Sequence, residues 1–526
     1  MPTLIILALP CPTAVFADKS RPAAAKPGDI VFQTDFDTPQ QRKAWSKGNF
    51  AKWEKGYQDT TSLCVTVPVE KAADGYMVSR PLDLTPYRNC RLMFECMAKA
   101  QDVSKPKASW LGAKFMLHYQ SVEKGPQWHN PPDVFGSFDW RKLSFSEQIP
   151  ADATGGQLLL GLQGSSGKAC FDAIKVTIVK GPPPKRPEPP ANPGPVFKGH
   201  NLPRLRGVMS PNKFRDEDLR VLGRDWNANA IRWQITRNWG RVGTERDLAE
   251  YDRWIDSELQ DLDKVLEAAG RYGIKVVVDM HSPPGGRLEN RDLAIFHEPK
   301  YQDHFVKFWQ KVARRYKGNP AVWGYDLVNE PQQHAPSPPG VADYLGTQVR
   351  AAKAIRAIDP RVPIFIEANE WDSPGGYREL EPVDVSNIVY QVHMYVPGRF
   401  THQGVHGTPT GIVYPGKIDK NMWNKEQLRK VLAPVREFQL AYNVHIYVGE
   451  FSAIRWADGA ADYLGDCIDL FEEYGWDWTY HAYREWNGWS VEHGSDPKDH
   501  KPSDKPTDRK QLLLKWFGRN QKPGQN

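Results

Sequence analysis

The sequence predicts a two-domain protein in which an all-β sandwich precedes an α/β domain, a closed (β/α)8 TIM barrel. The chain has 526 residues, which is more than one ordinary domain holds. Half of the residues in the segment 181–196 are proline, a composition typical of an extended linker. Apolar residues alternate in short runs before this segment, and apolar runs alternate with helical patterns after it. We therefore expect domains over 28–180 and 197–520, joined by the linker 181–196.

The region 28–180 contains short runs with alternating apolar residues and no long amphipathic helix. These runs are 62–69, 91–99, 113–121, 157–164 and 172–180. Short strands at regular intervals between turn residues are typical of a β-sandwich.

The region 197–520 contains eight apolar runs, and helical patterns separate them. The predicted strands are 205–210, 229–235, 275–281, 322–330, 363–370, 388–395, 445–452 and 476–483. The predicted helices are 251–273, 304–318, 341–359 and 426–442. Eight buried strands with crossovers indicate a closed barrel. An open doubly wound sheet is the alternative, but no G-x-G-x-x-G motif follows a strand.

Composition limits the classes of partner. The 69 Lys and Arg against 63 Asp and Glu leave a net charge of +6, and no basic run stands out, so we expect neither nucleic acid nor an anionic membrane surface. No apolar stretch reaches the ~20 residues of a membrane helix. The 19 Trp favour either stacking on sugars or large aromatic cores. We expect a monomer without a cofactor.

The first residues, 1–17, predict a signal peptide and a secreted protein, extracellular or periplasmic. A short apolar stretch is followed by small residues before Asp18, although the basic amino-terminal region of a signal is missing. Cys64, Cys90, Cys96 and Cys170 could form two disulfides in an exported domain or remain four buried thiols.

Polar residues occur where the predicted barrel strands end. In a barrel, functional groups gather at the carboxyl ends of the strands. The residues in question are Arg232, His281, Asn329, Glu330, Glu370, His393, Tyr395, Glu450 and, after the last strand, Tyr483, Arg484, Glu485 and Trp486. We expect them at one mouth.

Glu330 and Glu450 suggest a reaction. Cleavage of a glycosidic bond needs an acid at the leaving oxygen and a carboxylate beneath the anomeric carbon, and a separation of ~5–5.5 Å gives retention of configuration. The two predicted strands lie on opposite walls of the barrel, so their side chains can approach that closely. One of two such close acids stays protonated at neutral pH, which supplies the acid.

The motifs DLVNEP at 326–331 and GEF at 449–451, together with Arg232, His281 and the His393-x-Tyr395 pair, resemble glycoside hydrolase family 5, the cellulase family. The resemblance covers about 200–490. It implies that Glu330 is the acid/base and Glu450 the nucleophile. It also implies roles in substrate binding or orientation for a further set of residues, Arg232, His281, Asn329, His393 and Tyr395.

The end of the last strand departs from the family pattern. The family usually has a sugar-stacking Trp there, whereas this chain has His481 and Tyr483, with Trp486 slightly later. We predict Trp486 as the stacking platform, with Trp489 as the alternative.

These observations predict a retaining, endo-acting β-1,4-glucanase that acts on β-linked polysaccharide or oligosaccharide. A β-mannanase, a β-1,3-glucanase and a non-catalytic polysaccharide-binding protein are the alternatives. We expect no metal site, since an H-E-x-x-H motif would need His where Tyr301 stands. The sandwich resembles a carbohydrate-binding module, and a purely stabilising domain is the other interpretation. Its candidate stacking residues are Trp45, Trp53, Trp110, Trp128 and Trp140.

Overall fold

The structure is a computed structural model that describes residues 26–46, 48–122, 125–183, 185–192, 200–210, 213–405 and 407–523. The predicted signal peptide, 1–17, and residues 184 and 193–196 of the predicted linker lie outside the described residues. The chain divides into two compact units, Met1–Pro182 and Pro183–Asn526. None of the described helices is long and apolar enough to cross a membrane.

The described part of the first unit is all-β apart from the short helix α1 (Pro39–Lys43) and three single 3₁₀ turns. Its strands are β1 (Ile30–Thr34), β2 (Ala51–Lys55), β3 (Thr61–Val67), β4 (Gly75–Pro81), β5 (Arg91–Val103), β6 (Gly112–Ser121), β7 (Gly125–His129), β8 (Gly136–Gln148), β9 (Thr154–Gln163) and β10 (Gly167–Lys180). One antiparallel sheet has the order β2-β3-β10-β5-β8, with β1 beside β10, and the other has the order β4-β9-β6-β7. Both contribute alternate residues to one apolar core, so the predicted all-β class is confirmed.

The cysteines of this unit form one disulfide, not two. Cys64 on β3 and Cys170 on β10 are register partners with Cα atoms 4.0 Å apart, and they are bonded. Cys90 and Cys96 are buried free thiols that face the core. Leu63, Val65 and Phe171 beside the disulfide also face the core, so the bridge lies on the opposite side of the sheet, where neither free thiol can reach it.

The second unit contains the predicted barrel. Its strands are β11 (Arg206–Ser210), β12 (Ala230–Ile235), β13 (Lys275–Met280), β14 (Val322–Asp326), β15 (Ile364–Glu367), β16 (Ile388–Met394), β17 (Gly416–Ile418), β18 (Asn421–Trp423), β19 (His445–Phe451) and β20 (Asp477–Tyr480). β17 and β18 form a hairpin in the loop after β16, and the other eight strands close into a parallel barrel in which β20 pairs with β11. All eight predicted strands are therefore confirmed.

Helices surround this barrel. They are α2 (Asp216–Arg220), α3 (Leu248–Tyr272), α4 (Pro299–Tyr316), α5 (Tyr344–Arg356), α6 (Gly398–Thr401), α7 (Lys425–Tyr442), α8 (Ala460–Tyr474) and α9 (Asp508–Phe517). α3 shows why they form where they do. The Asp247 side chain accepts hydrogen bonds from the first backbone amides, and Gly273 ends the helix in the left-handed conformation (φ 67°). Its predicted apolar face is buried, including Ile255, Leu259 and Leu262.

Three predicted strands extend at least three residues too far at their carboxyl ends, and one of them, predicted to end at 483, is β20, which ends at Tyr480. β14 ends at Asp326 and β15 at Glu367, whereas the patterns extended them to 330 and 370. Glu330 and Glu370 both have positive φ, 48° and 64°. A positive φ is incompatible with a strand, so the chain turns away from the sheet before each residue.

The interior of the barrel changes character along its strands. Near their amino ends a separate apolar cluster includes Ala230, Val277, Phe365 and Val389. The residues two positions later, which point the same way because side chains alternate, are Arg232, Asp279, Glu367 and Gln391. An apolar plug therefore lies beneath a buried polar layer, and that layer forms the floor of the site.

Candidate active site

Arg232 is the centre of the buried polar layer. Its guanidinium contacts four carboxylates, at 2.5 Å from Glu450, 2.8 Å from Asp326, 3.1 Å from Glu367 and 3.2 Å from Asp279. Burial by itself would lower the pKa of Arg232, but these carboxylates raise it well above its ordinary value. The guanidinium therefore remains charged and holds the acidic side chains in place.

Glu450 reaches the barrel interior through a bulge in β19. The register against β16 shifts so that Val392 pairs with Val448 and His393 with Glu450, which leaves Gly449 as the extra residue. A Cβ atom at position 449 would lie 2.5 Å from the Gln391 side chain, so any other residue there would displace the Gln391 amide. The bulge turns Glu450 towards Arg232.

Both oxygens of Glu450 accept hydrogen bonds. Arg232 Nη1 donates to Oε1 at 2.5 Å, and Tyr395 Oη donates to Oε2 at 2.8 Å. Burial raises the pKa of Glu450, but the neighbouring His393, His481 and Arg232 outweigh burial and hold that pKa well below its ordinary value. Glu450 is a buried carboxylate that stays ionised.

Glu330 has a different environment. Its backbone amide donates to Glu367 Oε2 at 2.6 Å, and its side chain lies 3.2 Å from His393 Nδ1. The side chain is 25% exposed, against 5% for that of Glu450. Carboxylate oxygens of Glu330 and Glu450 and a ring nitrogen of His393 all lie within 4.8 Å of one another. The two acids are thus adjacent. Glu330 is partly exposed to solvent, and Glu450 is held by two hydrogen-bond donors.

Asn329 and His281 complete the wall beside Glu330. Arg232 Nη2 donates to the Asn329 side-chain oxygen at 3.0 Å, and the Asn329 amide nitrogen lies 3.3 Å from His281 Nε2. The other ring nitrogen of His281 lies 2.9 Å from Asp279. The amide orientation follows from Arg232, which can only donate.

A cavity of about 550 Å³ opens above these residues at the carboxyl ends of the strands. Its lining includes the predicted residues His281, Glu330, His393, Tyr395 and Glu450. A smaller cavity of about 180 Å³ adjoins it and shares His281 and Glu330, and Asn329 lines this second space. The size and polar lining suit a small ligand or part of a polymer.

Five residues predicted at the mouth line neither cavity, namely Arg232, Glu370, Tyr483, Arg484 and Trp486. Arg232 is wholly buried beneath the carboxylates, so it can act on a ligand only through its neighbours. Trp486 is 42% exposed and lines a separate surface depression with Arg215 and Arg484, whereas Trp489, 8% exposed, lines the large cavity. The loop after β20 turns Trp489 inward, and the one-dimensional pattern cannot show such a turn.

The sequence patterns missed several residues of the site. Glu367, Asp326 and Gln391 join the buried polar layer, and Trp239 and Trp371 line the cavity as exposed aromatic rings. Counting every second residue along the strands would have found Glu367 and Gln391. The two Trp lie on loops, where no periodicity predicts the direction of a side chain.

The end of β20 contributes a histidine and a carboxylate to the cavity. His481 Nδ1 lies 2.6 Å from Tyr395 Oη, and His481 Nε2 lies 3.3 Å from Glu485. Gln234 donates to the other oxygen of Glu485 at 2.5 Å. This chain therefore has a polar pair at the position where the resemblance implied a stacking Trp.

Among the described residues, three groups of histidines and acids are compact enough to hold a metal ion. They are Glu330 with His393 and Glu450, Glu367 with Asp372 and His393, and His200 with His445 and Asp477. In the first group Arg232 and Tyr395 already donate to both oxygens of Glu450. In the third, His200, His445 and the Leu205 amide donate to Asp477. Hydrogen bonds within the protein therefore already satisfy the ionised carboxylates of these two groups, Glu450 and Asp477.

The model of the family Cellulase (glycosyl hydrolase family 5) matches residues 192–487, more than half of the chain. The chain belongs to glycosyl hydrolase family 5. This family 5 hydrolase is 30% identical over 270 residues to "Endoglucanase C" of Acetivibrio thermocellus, a match that covers 45% of this chain and 76% of that protein. It is 24% identical over 273 residues to "Cellodextrinase A" of Ruminococcus flavefaciens, which covers 49% of this chain and 76% of the relative.

Solved structures also resemble this family 5 hydrolase. One is Thermotoga maritima Cel5A in complex with mannotriose, with 21% identity, a TM-score of 0.46 and coverage of 59% of this chain and 97% of the other. The matched region of the family model contains all the strands of the barrel, β11 to β20.

Proposed function

We propose that this glycoside hydrolase cleaves β-1,4-glucan internally and with retention, with Glu450 as nucleophile and Glu330 as acid/base. One observation carries the proposal. The two carboxylates approach within 4.8 Å, and only Glu450 is pinned by Arg232 and Tyr395. Oxygens this close fit the ~5–5.5 Å between carboxyl groups of retaining glycosidases better than the wider gap of inverting enzymes, which holds a water between them.

In the first step Glu450 attacks the anomeric carbon and forms a glycosyl ester, while Glu330 donates its proton to the departing glycosidic oxygen. In the second step Glu330 takes a proton from water, the water oxygen bonds to the anomeric carbon, and the bond to Glu450 breaks. Two inversions give net retention. Arg232 and Tyr395 keep Glu450 anionic and aimed between turnovers.

The surrounding residues have roles that follow from their placement. We propose that Asn329 binds the sugar 2-hydroxyl, that His281 contacts substrate, and that His393, 3.2 Å from Glu330, orients the acid/base. Trp239 and Trp371 are exposed at the cavity, where their flat faces can stack on sugar rings. Arg287 lies over the Trp371 ring at 4.4 Å and supports its position.

A substrate panel tests the choice of β-1,4-glucan. The names of the relatives, endoglucanase and cellodextrinase, favour it over β-mannan and β-1,3-glucan. We expect release of reducing sugar from carboxymethylcellulose at a higher rate than from mannan, xyloglucan or laminarin. Preference for mannan or laminarin would establish an alternative substrate, and binding without hydrolysis of any polymer would establish a non-catalytic protein.

Azide rescue tests the two glutamates separately. With Glu450→Ala, azide should attack from the vacated face and give a glycosyl azide of inverted configuration. With Glu330→Ala, azide should resolve the glycosyl ester and give a retained azide. Glu370→Ala is the control, since Glu370 lies outside the lining of both cavities and should keep wild-type turnover. Exchanged stereochemical outcomes would reverse the assignments.

We also propose that the enzyme is exported and that residues 28–180 form a domain joined by the linker 181–196 to the barrel, 197–520. The apolar residues 1–17 support export as a signal peptide, which we expect to be cleaved after residue 17. The disulfide between Cys64 and Cys170 also supports export, because such bridges persist in oxidising compartments. Amino-terminal sequencing of protein from the medium or periplasm should read from Asp18. Recovery of all chains in the reducing cytosol would contradict export.

We further propose that the first unit binds the same polysaccharide through Trp110 and Trp128. Trp110 is 64% and Trp128 54% exposed, whereas Trp45 is buried and Trp53 and Trp140 are half-buried. The Trp128 ring stacks on His118 with centroids 3.6 Å apart and planes at 14°. This stack turns one indole face outward, as sugar stacking requires.

Trp110 and Trp128 lie at one edge of the first unit. The side chain of Asn130, two residues after Trp128, donates to the Trp110 carbonyl oxygen at 3.4 Å. In the full-length enzyme, Trp110→Ala and Trp128→Ala should each weaken adsorption to insoluble cellulose about tenfold, with a loss of ~1–2 kcal/mol per stacked ring. Val69→Ala, at an even more exposed apolar position, is the control. Unchanged adsorption in both Trp variants would leave the unit with a stabilising role.

A further inference from the structure

The end of β20 has a charged pair that the retaining mechanism does not use. His481 directly follows the strand and Glu485 comes four residues later, and both line the catalytic cavity. Each is largely buried, with 12% and 11% of its side chain exposed. A buried ionisable pair at an active site costs free energy, so its presence points to a role there.

A continuous chain of polar contacts links this pair to Glu450. Glu485 lies 3.3 Å from His481 Nε2, His481 Nδ1 lies 2.6 Å from Tyr395 Oη, and Tyr395 Oη lies 2.8 Å from Glu450 Oε2. Gln234 fixes the far end, since its side-chain nitrogen donates to Glu485 at 2.5 Å and to the Ser210 carbonyl at 3.0 Å.

Counting protons along this chain assigns the charge of His481. Tyr395 has one hydroxyl proton, and Glu450 is an anion that can only accept it. The contact at 2.6 Å between Tyr395 Oη and His481 Nδ1 must therefore use a proton on Nδ1. At the other nitrogen, Glu485 accepts from Gln234 and faces Nε2, so a bare Nε2 would oppose a carboxylate lone pair. Both ring nitrogens are then protonated.

The groups around His481 agree with this assignment. Glu485 lies at 3.3 Å from its ring and Glu450 at 4.0 Å, Glu330 also faces the ring, and Tyr395 and the Trp489 ring complete the surroundings. Burial lowers the pKa of His481, but these carboxylates outweigh burial and raise it above its ordinary value. Burial raises the pKa of Glu485, while His481 and Gln234 lower it below its ordinary value.

We propose that Glu485 is a positioning residue that keeps His481 doubly protonated, so that His481 donates to Tyr395 and Tyr395 donates to Glu450. A neutral His481 would keep its proton on Nε2, opposite Glu485, and accept the Tyr395 proton at Nδ1. Glu450 would then lose one of its two donors. The inference rests on the proposed function in one respect, namely that Glu450 is the nucleophile.

Titration of His481 tests the pair without any need for activity. We would label the histidines of the full-length enzyme with ¹⁵N and identify the His481 resonances by their absence in His481→Gln. The wild-type ring should titrate above the ordinary value of about 6.5, and Glu485→Gln should lower that midpoint by about one pH unit, a tenfold loss of proton affinity. Glu492→Gln, a carboxylate outside the cavity that pairs with Arg484, should not move it.

The pH dependence of kcat shows whether Glu485 positions His481 or only stabilises the fold. In Glu485→Gln the alkaline limb of the kcat profile should move to lower pH by about one unit, with KM changed less than kcat, and Glu485→Asp should restore the limb in part. An unshifted His481 midpoint, or a shifted midpoint with an unchanged kcat profile, would overturn the proposal. Absence of glycoside hydrolysis would refute the proposed function instead, and the titration would still report on the pair.

Discussion

The two ends of the barrel both contain buried histidines and carboxylates, but they balance charge in opposite ways. At the amino ends of the strands a single carboxylate, Asp477, accepts from His200 at 2.7 Å, from His445 at 2.8 Å and from the Leu205 amide at 2.8 Å. At the carboxyl ends four carboxylates share the one guanidinium of Arg232.

The pKa values follow this difference. Burial raises the pKa of Asp477, but hydrogen bonds from His200 and His445 outweigh burial and hold that pKa well below its ordinary value. At the other end, burial raises the pKa values of Asp326 and Glu367, whereas the pKa of Glu450 is held low. At the amino end, hydrogen-bond donors satisfy the one carboxylate, which suits a structural role. At the carboxyl end, carboxylates outnumber the guanidinium, and perturbed pKa values of this kind are typical of functional sites.

The largest expected effect is on Glu450→Gln. Loss of the nucleophile should lower kcat/KM by about 10⁴-fold or more. The lost acceptor costs stability, but the change also removes one charge from a crowded group of carboxylates, so the free energy of unfolding should fall by less than in Asp477→Asn. Hydrolysis rates and urea unfolding would measure the two quantities. A loss of stability as severe as in Asp477→Asn would contradict the contrast between the two ends.

Replacing two buried arginines, Arg232 and Arg206, separates an effect on activity from an effect on stability. Arg232→Met leaves buried carboxylates without their cation and should cost about 3–5 kcal/mol of unfolding free energy, together with most activity. Arg206 at the amino end is the matched control, since it is buried and bonded twice to Glu472 at 2.7 Å. Arg206→Met should lose stability and keep kcat. Equal losses of kcat in the two variants would show that activity only follows stability.

Asp477→Asn should destabilise the barrel by about 3 kcal/mol, since one side-chain oxygen is replaced by a nitrogen that cannot accept from its donors. kcat/KM below the unfolding temperature should not change, because Asp477 lies at the end of the barrel remote from the cavity. Denaturant unfolding and initial rates are the measurements. A drop in activity with full stability would mean that the two ends are coupled.

The pH dependence of the unfolding free energy should include a contribution from His445 at the amino end of the barrel. Burial lowers the pKa of His445, so the unfolded chain takes up a proton there before the folded chain does. Stability is therefore lost as pH falls below about 6.5, the ordinary value for histidine. His445→Gln should reduce the slope of unfolding free energy between pH 7 and 5. A steeper slope in the variant would show that folding raises the pKa of His445 and would contradict the prediction.

The smallest expected effects concern the aromatic residues after β20. Trp489→Ala should raise KM for cello-oligosaccharides several-fold, since Trp489 lines the cavity, at a cost of about 1 kcal/mol in binding. Trp486→Ala should change KM less than twofold, because Trp486 lines a different depression. A larger effect at Trp486 would restore it as the stacking platform.

Much of the fold could be predicted because the signals are local. The eight barrel strands are short apolar runs, and α3 repeats its apolar residues at helical spacing. The rule that functional groups follow barrel strands selected Glu330 and Glu450 without any knowledge of contacts. Their spacing in the structure is a tertiary property, but their convergence at one mouth follows from topology.

Other features depend on which residues meet in space. Cys64 pairs with Cys170 and not with Cys90 or Cys96, because the faces of β3 and β10 decide which sulfurs meet. The inward turn of Glu450 depends on the bulge at Gly449. Which of Trp486 and Trp489 lines the cavity depends on a loop whose course no periodicity predicts.

By itself, the amino-acid sequence determined the order of strands and helices, the closed barrel and the carboxylate pair, since periodicity and strand ends are properties of neighbouring residues. Only the tertiary structure decided that one guanidinium serves four carboxylates and that His481 and Glu485 reach Glu450 through Tyr395. The charge of a buried group depends on partners that are distant in the chain, and only folding brings those partners within hydrogen-bonding distance.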